Sequence, residues 1–179
     1  MAQNLDNVMA RIKELEIHML IFANKELKVL AEILREDEML EYVAQGLYKN
    51  GLGLLCATSK RLLFIDKGFF SLKMEEFPLK SVSSVSFESG MMYGKIKIYA
   101  SGNNAEISNI DKGSAEVFAD IARNLIDGRD VPKNTIQSEK NSDKEVDVYE
   151  QLEKLAALKD KKIITEAEFQ AKKTQLLGL

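Results

Sequence analysis

Apolar positions recur every three or four residues from Leu5 to Leu34, switch to alternation and short apolar runs between Glu41 and Ile110, and then return to helical spacing. Leu5, Val8, Ile12, Leu15, Met19 and Phe22 draw one narrow stripe, which predicts an amphipathic helix interrupted near Asn24. Leu27, Leu30, Ala31 and Leu34 line a second, shorter helix. The heptad-like seam of the first leaves two uses open: a coiled-coil-like contact between copies, or packing on the chain's own domain.

In the middle section, Val43, Gln45 and Leu47, then Leu52, Leu54 and Cys56, predict a hairpin about Lys49-Asn50-Gly51, because an Asn-Gly pair favours tight turns. The apolar run Leu62-Leu63-Phe64-Ile65 after Arg61 has strand length, and Asp66-Lys67-Gly68 ends it. Phe70, Leu72 and Met74 alternate as far as Glu75-Glu76-Phe77-Pro78, and Val82, Val85 and Phe87 precede the loop Ser89–Gly94. Ile96, Ile98 and Ala100 alternate, Gly102-Asn103 makes a turn, and Ala105 to Ile110 closes the series. Short strands with frequent turns point to a barrel or sandwich. Asp111 or Ser114 can cap a following helix whose Val117, Phe118, Ile121 and Leu125 share a face, ending near Gly128.

Residues 128–147 are polar, carry no stripe and read as a linker; a flexible chain of about 18 residues spans on the order of 25 Å. Beyond it, Val148, Leu152, Leu155 and the stem of Lys159 line one helix, and residues 161–164 break it. Thr165 with Glu168 supplies a capping box for the next helix, and Ile164 with Phe169 has the spacing of a hydrophobic staple. Leu176 and Leu177 continue inward, and Gly178 can end the helix in the left-handed conformation. Chains shorter than about 40 residues usually need a disulfide, a metal or association to fold. This hairpin has no cysteine, so association is the remaining route, with Leu152, Leu155, Ile164, Phe169, Leu176 and Leu177 as its candidate contacts.

Composition narrows the function. At 179 residues the chain suits one ordinary domain with appendages, and 45% hydrophobic with 30% charged residues is a normal globular mix. A net charge of −3 and a pI near 5.4 argue against a nucleic-acid binder and weaken attachment to an anionic membrane by charge alone. No apolar run approaches the roughly 20 residues that span a bilayer, and the amino terminus lacks the basic region and apolar run of a signal peptide. Together with the lone Cys56, this predicts a cytoplasmic protein in a reducing compartment.

Candidate chemistry is sparse. His18 is the only histidine, so neither a histidine triad nor a multi-histidine metal site is available. Cys56 is in phase with Leu52 and Leu54, the place of a small core residue rather than a reactive thiol. Gly51-Leu52-Gly53 lacks the further glycines and the lysine of a phosphate loop. Glu36, Asp37, Glu38 and Glu41 lack the glycine and spacing of a calcium loop and read as a solvated turn. No catalytic residue, cofactor or metal is therefore expected. Two loop tips are interaction candidates: Phe69 and Phe70 after Gly68, and Met91, Met92 and Tyr93 between Gly90 and Gly94. The competing use of both is packing against the barrel end or under the amino-terminal helices.

The tail run Leu152–Leu155, Leu158, Asp160-Lys161, Ile163–Glu166, Glu168-Phe169 and Leu176-Leu177-Gly178 resembles the SHOCT module, a short C-terminal domain of bacterial and phage proteins. Lys162 stands where that family usually has glycine, and a left-handed corner there costs a lysine more. Seven predicted strands closed by one helix have the layout of a pleckstrin-homology (PH) fold. Gln45–Tyr48, Ala57–Gly68, Phe77-Pro78, Ser81–Val85, Gly94–Tyr99 and Asn109-Ile110 resemble the bacterial PH-like domain of the YokE type, over a match from Leu34 to Asp127. That domain type commonly carries a SHOCT tail.

The resemblances imply an α+β chain. Amphipathic helices occupy residues 1–35, and a PH-like seven-stranded β-barrel or sandwich with a C-terminal capping helix occupies 36–127. A polar linker over 128–147 and the SHOCT two-helix hairpin over 148–179 follow. The function implied is non-enzymatic: a protein-interaction or oligomerisation module that docks on a protein partner or on itself as a homo-oligomer, without nucleic acid. The alternative is membrane-surface or lipid-headgroup binding through the barrel. Its candidate contacts are Lys49, Lys60 and Arg61, a thin basic cluster for gripping phosphates.

Overall fold

The computed structural model describes residues 4–17, 20, 23–68, 70–91, 93–131, 148–161 and 164–177. Two helices, α1 (Leu5–Glu14) and α2 (Asn24–Ile33), lead into β1 (Leu40–Tyr48), β2 (Gly51–Thr58), β3 (Arg61–Lys67) and β4 (Leu72–Pro78). A 3-10 turn, Leu79–Ser81, passes the chain to β5 (Val82–Ser89), β6 (Tyr93–Ala100), β7 (Asn103–Asp111) and α3 (Lys112–Ile126). The tail contributes α4 (Val148–Asp160) and α5 (Glu166–Leu177). The chain divides into two units, Met1–Glu139 and Lys140–Leu179.

The seven strands are antiparallel and ordered β4-β3-β2-β1-β7-β6-β5, with β1 and β7 joined where Leu47 faces Ser108. The turn between β1 and β2 is centred on Lys49 and Asn50, both left-handed at φ 48° and 66°, and Gly51 is already paired with Tyr48 as the first residue of β2. The Asn-Gly signal therefore located the turn one residue late. Gly51 serves space rather than conformational freedom, since a Cβ on it would lie 2.1 Å from Oδ2 of Asp66. A Cβ on Gly53 would lie 2.4 Å from the carbonyl oxygen of Ile65. The Gly51–Gly53 stretch is thus a strand pressed against β3.

Neighbouring residues of β2 and β3 point to opposite sides of the sheet, and both sides are apolar. Leu55, Ala57, Leu62 and Phe64 face a core shared with Tyr42, Phe77, Ile96, Ile98 and Ile107 and closed by Phe118 and Ile121 of α3. Leu54, Cys56, Leu63 and Ile65 face a second core with Val8 and Ile12 of α1 and Leu27 and Leu30 of α2. Strands covered on both faces read as unbroken apolar runs, which is why Leu62–Ile65 shows no alternation. The amino-terminal stripe is used here for packing on the chain's own sheet at Val8 and Ile12, and Leu15 is buried, while Met19, Phe22 and His18 lie outside the described residues.

The stripe does not form one helix as far as Asn24. The Leu15 N–H closes on the Arg11 carbonyl, Glu16 turns left-handed at φ 51°, and α2 begins at Asn24 itself. No glycine or proline marks that break, so local sequence carried no signal for it. Side chains then fasten both helices to the sheet. Arg11 Nε donates to the Leu40 carbonyl at 2.8 Å, and Glu26 Oε1 accepts from the Lys67 N–H at 3.0 Å. At the other end, Asp111 is the cap of α3, accepting from the Ser114 N–H at 3.2 Å, with Ser114 buried behind it.

In the tail unit, the Thr165 N–H donates to Glu168 Oε2 at 2.9 Å and the Glu168 N–H donates to Thr165 Oγ1 at 3.2 Å, the reciprocal capping box. Leu155 and Ile164 are buried, and Leu152, Leu158 and Phe169 are half-buried. Lys159 does more than lend its stem: its ammonium lies 4.4 Å from the centroid of the Phe169 ring and 3.5 Å from Glu166. The side chains of Leu176 and Leu177, together with Lys162, Ile163 and Gly178, lie outside the described residues, as do linker residues 132–147.

Glu26 is the weak point of the second core. It is buried, and its Oε2 has no hydrogen-bond partner. Burial pushes its carboxyl above the ordinary 4.5, against the lowering influence of the Glu26 and Lys67 backbone hydrogen bonds. A raised carboxyl favours the fold when protonated, so its contribution is complete below pH 4.5 and is lost as pH rises through the raised value. Glu26→Gln, neutral at every pH, should therefore melt above wild type at pH 7 and by a smaller margin at pH 4, measured by circular dichroism.

Candidate functional site

Arg61 is the first residue of β3 and lies inside the molecule, 7% exposed. Its Nε and Nη2 fork onto the two oxygens of Glu38 at 2.8 and 2.9 Å. Nη1 reaches Glu76 of β4 at 2.9 Å, and Nη2 also donates to the carbonyl of Ile33 at the end of α2 at 2.9 Å. The Thr58 hydroxyl donates to Glu38 Oε1 at 2.7 Å and accepts from the N–H groups of Lys60 and Arg61, pinning the β2–β3 turn. Burial alone would raise the Glu38 carboxyl, but the Arg61 fork and the Thr58 hydroxyl outweigh it and hold the group below its ordinary value.

Two sequence expectations are corrected here. Glu38 does not belong to a solvated turn: it is 1% exposed and carries the buried ion pair, while Glu41 is half-buried against Arg11 at 3.4 Å. Arg61 presents no guanidinium to a lipid headgroup, because two carboxylates and a carbonyl occupy its donors. The alternating pattern could not show this, since an arginine at a strand start looks the same whether it faces water or a buried acid. Lys60 is paired with Asp37, and Lys49 with Glu75 at 2.5 Å, so with Glu38 and Glu76 on Arg61 the expected basic cluster is dispersed over four carboxylate partners. Cys56 is fully buried, and burial pushes its thiol up, away from the reactive thiolate. Among the described residues, no group of three or more histidine, cysteine, aspartate or glutamate side chains could hold a metal ion.

The loop tips are exposed where they are described: Phe70 and Met91 are each 94% exposed, and Tyr93 is half-buried as the first residue of β6. Phe69 and Met92 lie outside the described residues. The structure adds a feature that strand periodicity alone does not disclose. On β4, Leu72 is paired with Lys67 and Met74 with Ile65, which puts them on the sheet face that α2 covers over β2 and β3. Both are nevertheless exposed, at 48% and 38%. They lie on an edge strand, and exposed Phe70 lies in the loop that leads into it. Their alternation was visible, but which strand lay at the edge was not.

A seven-stranded antiparallel sheet with a capping helix after its last strand, followed by a helix pair in a second unit, is a PH-like fold with a helical tail. The family model for the bacterial PH domain matches residues 34–124, and that for the short C-terminal (SHOCT) domain matches residues 150–177. The chain belongs to the bacterial PH-domain family, and the match carries that domain rather than the YokE type within it. Among solved structures, the Vps36 N-terminal PH domain aligns with 54% of this chain and 84% of its own at 18% identity and a TM-score of 0.42. A DUF1696 family protein with a pleckstrin-homology domain from Shewanella loihica PV-4 aligns over 60% of this chain and 97% of its own at 20% identity, TM-score 0.40. A pleckstrin homology domain from Shewanella amazonensis SB2B covers 49% and 80% at 24% identity, TM-score 0.34. No curated protein matches the chain. Among the described residues, no helix is long and apolar enough to cross a membrane.

Removing Arg61 would leave Glu38 buried and unpaired, a loss of about 3–5 kcal/mol. Urea unfolding of Arg61→Ala should show it, whereas Lys60→Ala, at an exposed pair, should leave the midpoint nearly unchanged. The pH arm follows from Glu38: because its folded value is lowered, its contribution is present above the ordinary 4.5 and lost as pH falls through the lowered value. The stability gap between wild type and Arg61→Ala should therefore narrow below about pH 4.

Proposed function

We propose that this chain is a non-enzymatic interaction module that self-associates, with the PH-domain edge as one contact and the SHOCT hairpin as a second. The observation that carries the reading is the exposure of Leu72 and Met74 on edge strand β4, with exposed Phe70 in the loop that leads into it. An edge strand offers unpaired backbone donors and acceptors, and proteins ordinarily blunt such edges with charge or proline. Here the edge is only partly blunted, by Lys73, Glu76 and Pro78, while its large apolar side chains meet water. Contiguous exposed apolar surface of this kind marks association sites. The hairpin adds its own motive: Leu155 and Ile164 make a small buried centre for two helices, and the half-buried Leu152, Leu158 and Phe169 gain from a further surface. The Met91 and Tyr93 tip is a third candidate contact. A reducing cytoplasm of a bacterium or phage-infected cell is the setting proposed, in keeping with a single buried thiol.

Light scattering on the full chain, on a chain ending at Gly128 and on Leu72→Lys/Met74→Lys tests this. The full chain should be larger than a monomer. The double substitution should weaken association about tenfold or more, the equivalent of losing one or two buried apolar side chains. Removing the hairpin should weaken it independently. Monomers throughout at about 100 μM, a concentration that would populate a dimer of micromolar affinity, would rule the reading out.

A further inference from the structure

Edge strand β4 is self-complementary about Met74. The core beneath α2 takes Leu54, Cys56, Leu63 and Ile65 from β2 and β3 but no residue of β4, so Leu72 and Met74 meet water on an uncovered face. Lys73 and Glu75 flank Met74 at equal distance on the other face of the sheet, with opposite charges. Lys73 is exposed, its ammonium 3.9 Å from Asp66. Glu75 Oε2 accepts from Tyr48 and Asn103, and among the described residues its Oε1 accepts from Lys49 alone. A carboxylate offers about four acceptor positions, so Glu75 has room for one further donor.

We propose that two copies of this chain join edge to edge, β4 antiparallel to β4, about a two-fold axis at Met74. The proposal rests on the self-association proposed above and gives that contact its register. In such a pair the axis stands perpendicular to the sheet, so every side chain keeps its own face. Residues directly opposite one another share a face, and faces alternate along a strand. An axis between two residues would set an outer-face side chain against an inner-face one, so the axis has to pass beside a residue. Centres at Leu72, Lys73, Phe77 or Pro78 pair three residues of β4 or fewer. A centre at Glu75 or Glu76 sets a carboxylate directly opposite its own copy, which is destabilising. It also brings Pro78, which has no N–H to donate, into the ladder opposite Leu72 or Met74. Met74 is the centre that remains. Residues 72–76 then pair in full, Pro78 lies beyond them, and Lys73 of each copy stands opposite Glu75 of the other. On the outer face Met74 meets Met74, and Leu72 of each copy reaches Met74 of the other diagonally over about 7–8 Å. Leu72 stands opposite Glu76, whose carboxylate is held by Arg61 at 2.9 Å. The two sheets become one.

The chain has a single cysteine, Cys56, and it is buried, so a cysteine placed on β4 reads the register. In this register two copies of position 74 lie about 5 Å apart, within disulfide reach. Two copies of position 72 lie about 13 Å apart or more, four residues along the strand, and are out of reach. Full-length Met74→Cys, oxidised at about 100 μM, should therefore cross-link at least about tenfold faster than Leu72→Cys on non-reducing gels. Lys73→Glu, which sets carboxylate against carboxylate at both symmetric pairs, should weaken association about tenfold by sedimentation, and 1 M chloride, with its Debye length of about 3 Å, should recover most of that loss. Lys73→Glu also carries the test should a cysteine variant fail to fold. Equal cross-linking at the two positions, or a Lys73→Glu chain that associates as tightly as wild type, overturns the register. If Leu72→Lys/Met74→Lys still weakens association in that case, the edge contact stands without it. Monomers throughout overturn both.

Discussion

The Arg61–Glu38 pair is the interaction on which the layered arrangement depends. One guanidinium joins the start of β3 to the segment between α2 and β1, to β4 through Glu76, and to the last turn of α2 through the Ile33 carbonyl. A buried charge is tolerated only when its partners are complete, and here the fork, the Thr58 hydroxyl and the Arg35 N–H complete those of Glu38. The pair therefore sets where α2 ends on the outer face of the sheet. At the opposite end of the same helix, Glu26 accepts from Lys67 without completing its own carboxylate. The second core is thus tied by a satisfied charge at one corner and a poorly satisfied one at the other.

That layering makes the middle strands the best protected part of the molecule and its margins the available part. β2 and β3 have an apolar core on each side. α2 covers that outer face, yet on β4 the same face carries Leu72 and Met74 into water. The far end of the barrel is sealed differently, by hydrogen bonds rather than apolar cover, because Tyr48, Lys49 and Asn103 all spend their donors on Glu75. Exposed apolar side chains along the edge and a polar end engaged in hydrogen bonds are the two surfaces that this layering leaves available.

Local features were legible because their physics is local. The two-residue hairpin turn, the Asp111 cap, the Thr165–Glu168 box and the strand alternation of β6 each involve residues within a few positions of one another. Helical and strand periods likewise need only neighbours along the chain, so the order of helices, seven strands, capping helix and hairpin followed from pattern alone. The break at Glu16 was not legible, since a left-handed glutamate has no sequence signature and is imposed by two helices sharing one sheet. Nor was the fate of Arg61 and Glu38, 23 residues apart, whose neighbours suggested a headgroup contact and a solvated turn.

What the amino-acid sequence determined by itself was the inventory: which segments are helix or strand and in what order, and that histidine- and cysteine-based chemistry is scarce. What only the tertiary structure decided was exposure and partnership. Periodicity states that a strand has an apolar face, but burial depends on what lies across from that face. Leu63 and Leu72 carry the same residue type, and the cover of the amino-terminal helices buries one while the edge position exposes the other. Charge works the same way: a lysine, an arginine or a glutamate becomes a contact, a strut or a plug according to the oppositely charged group that folding brings within about 3 Å of it.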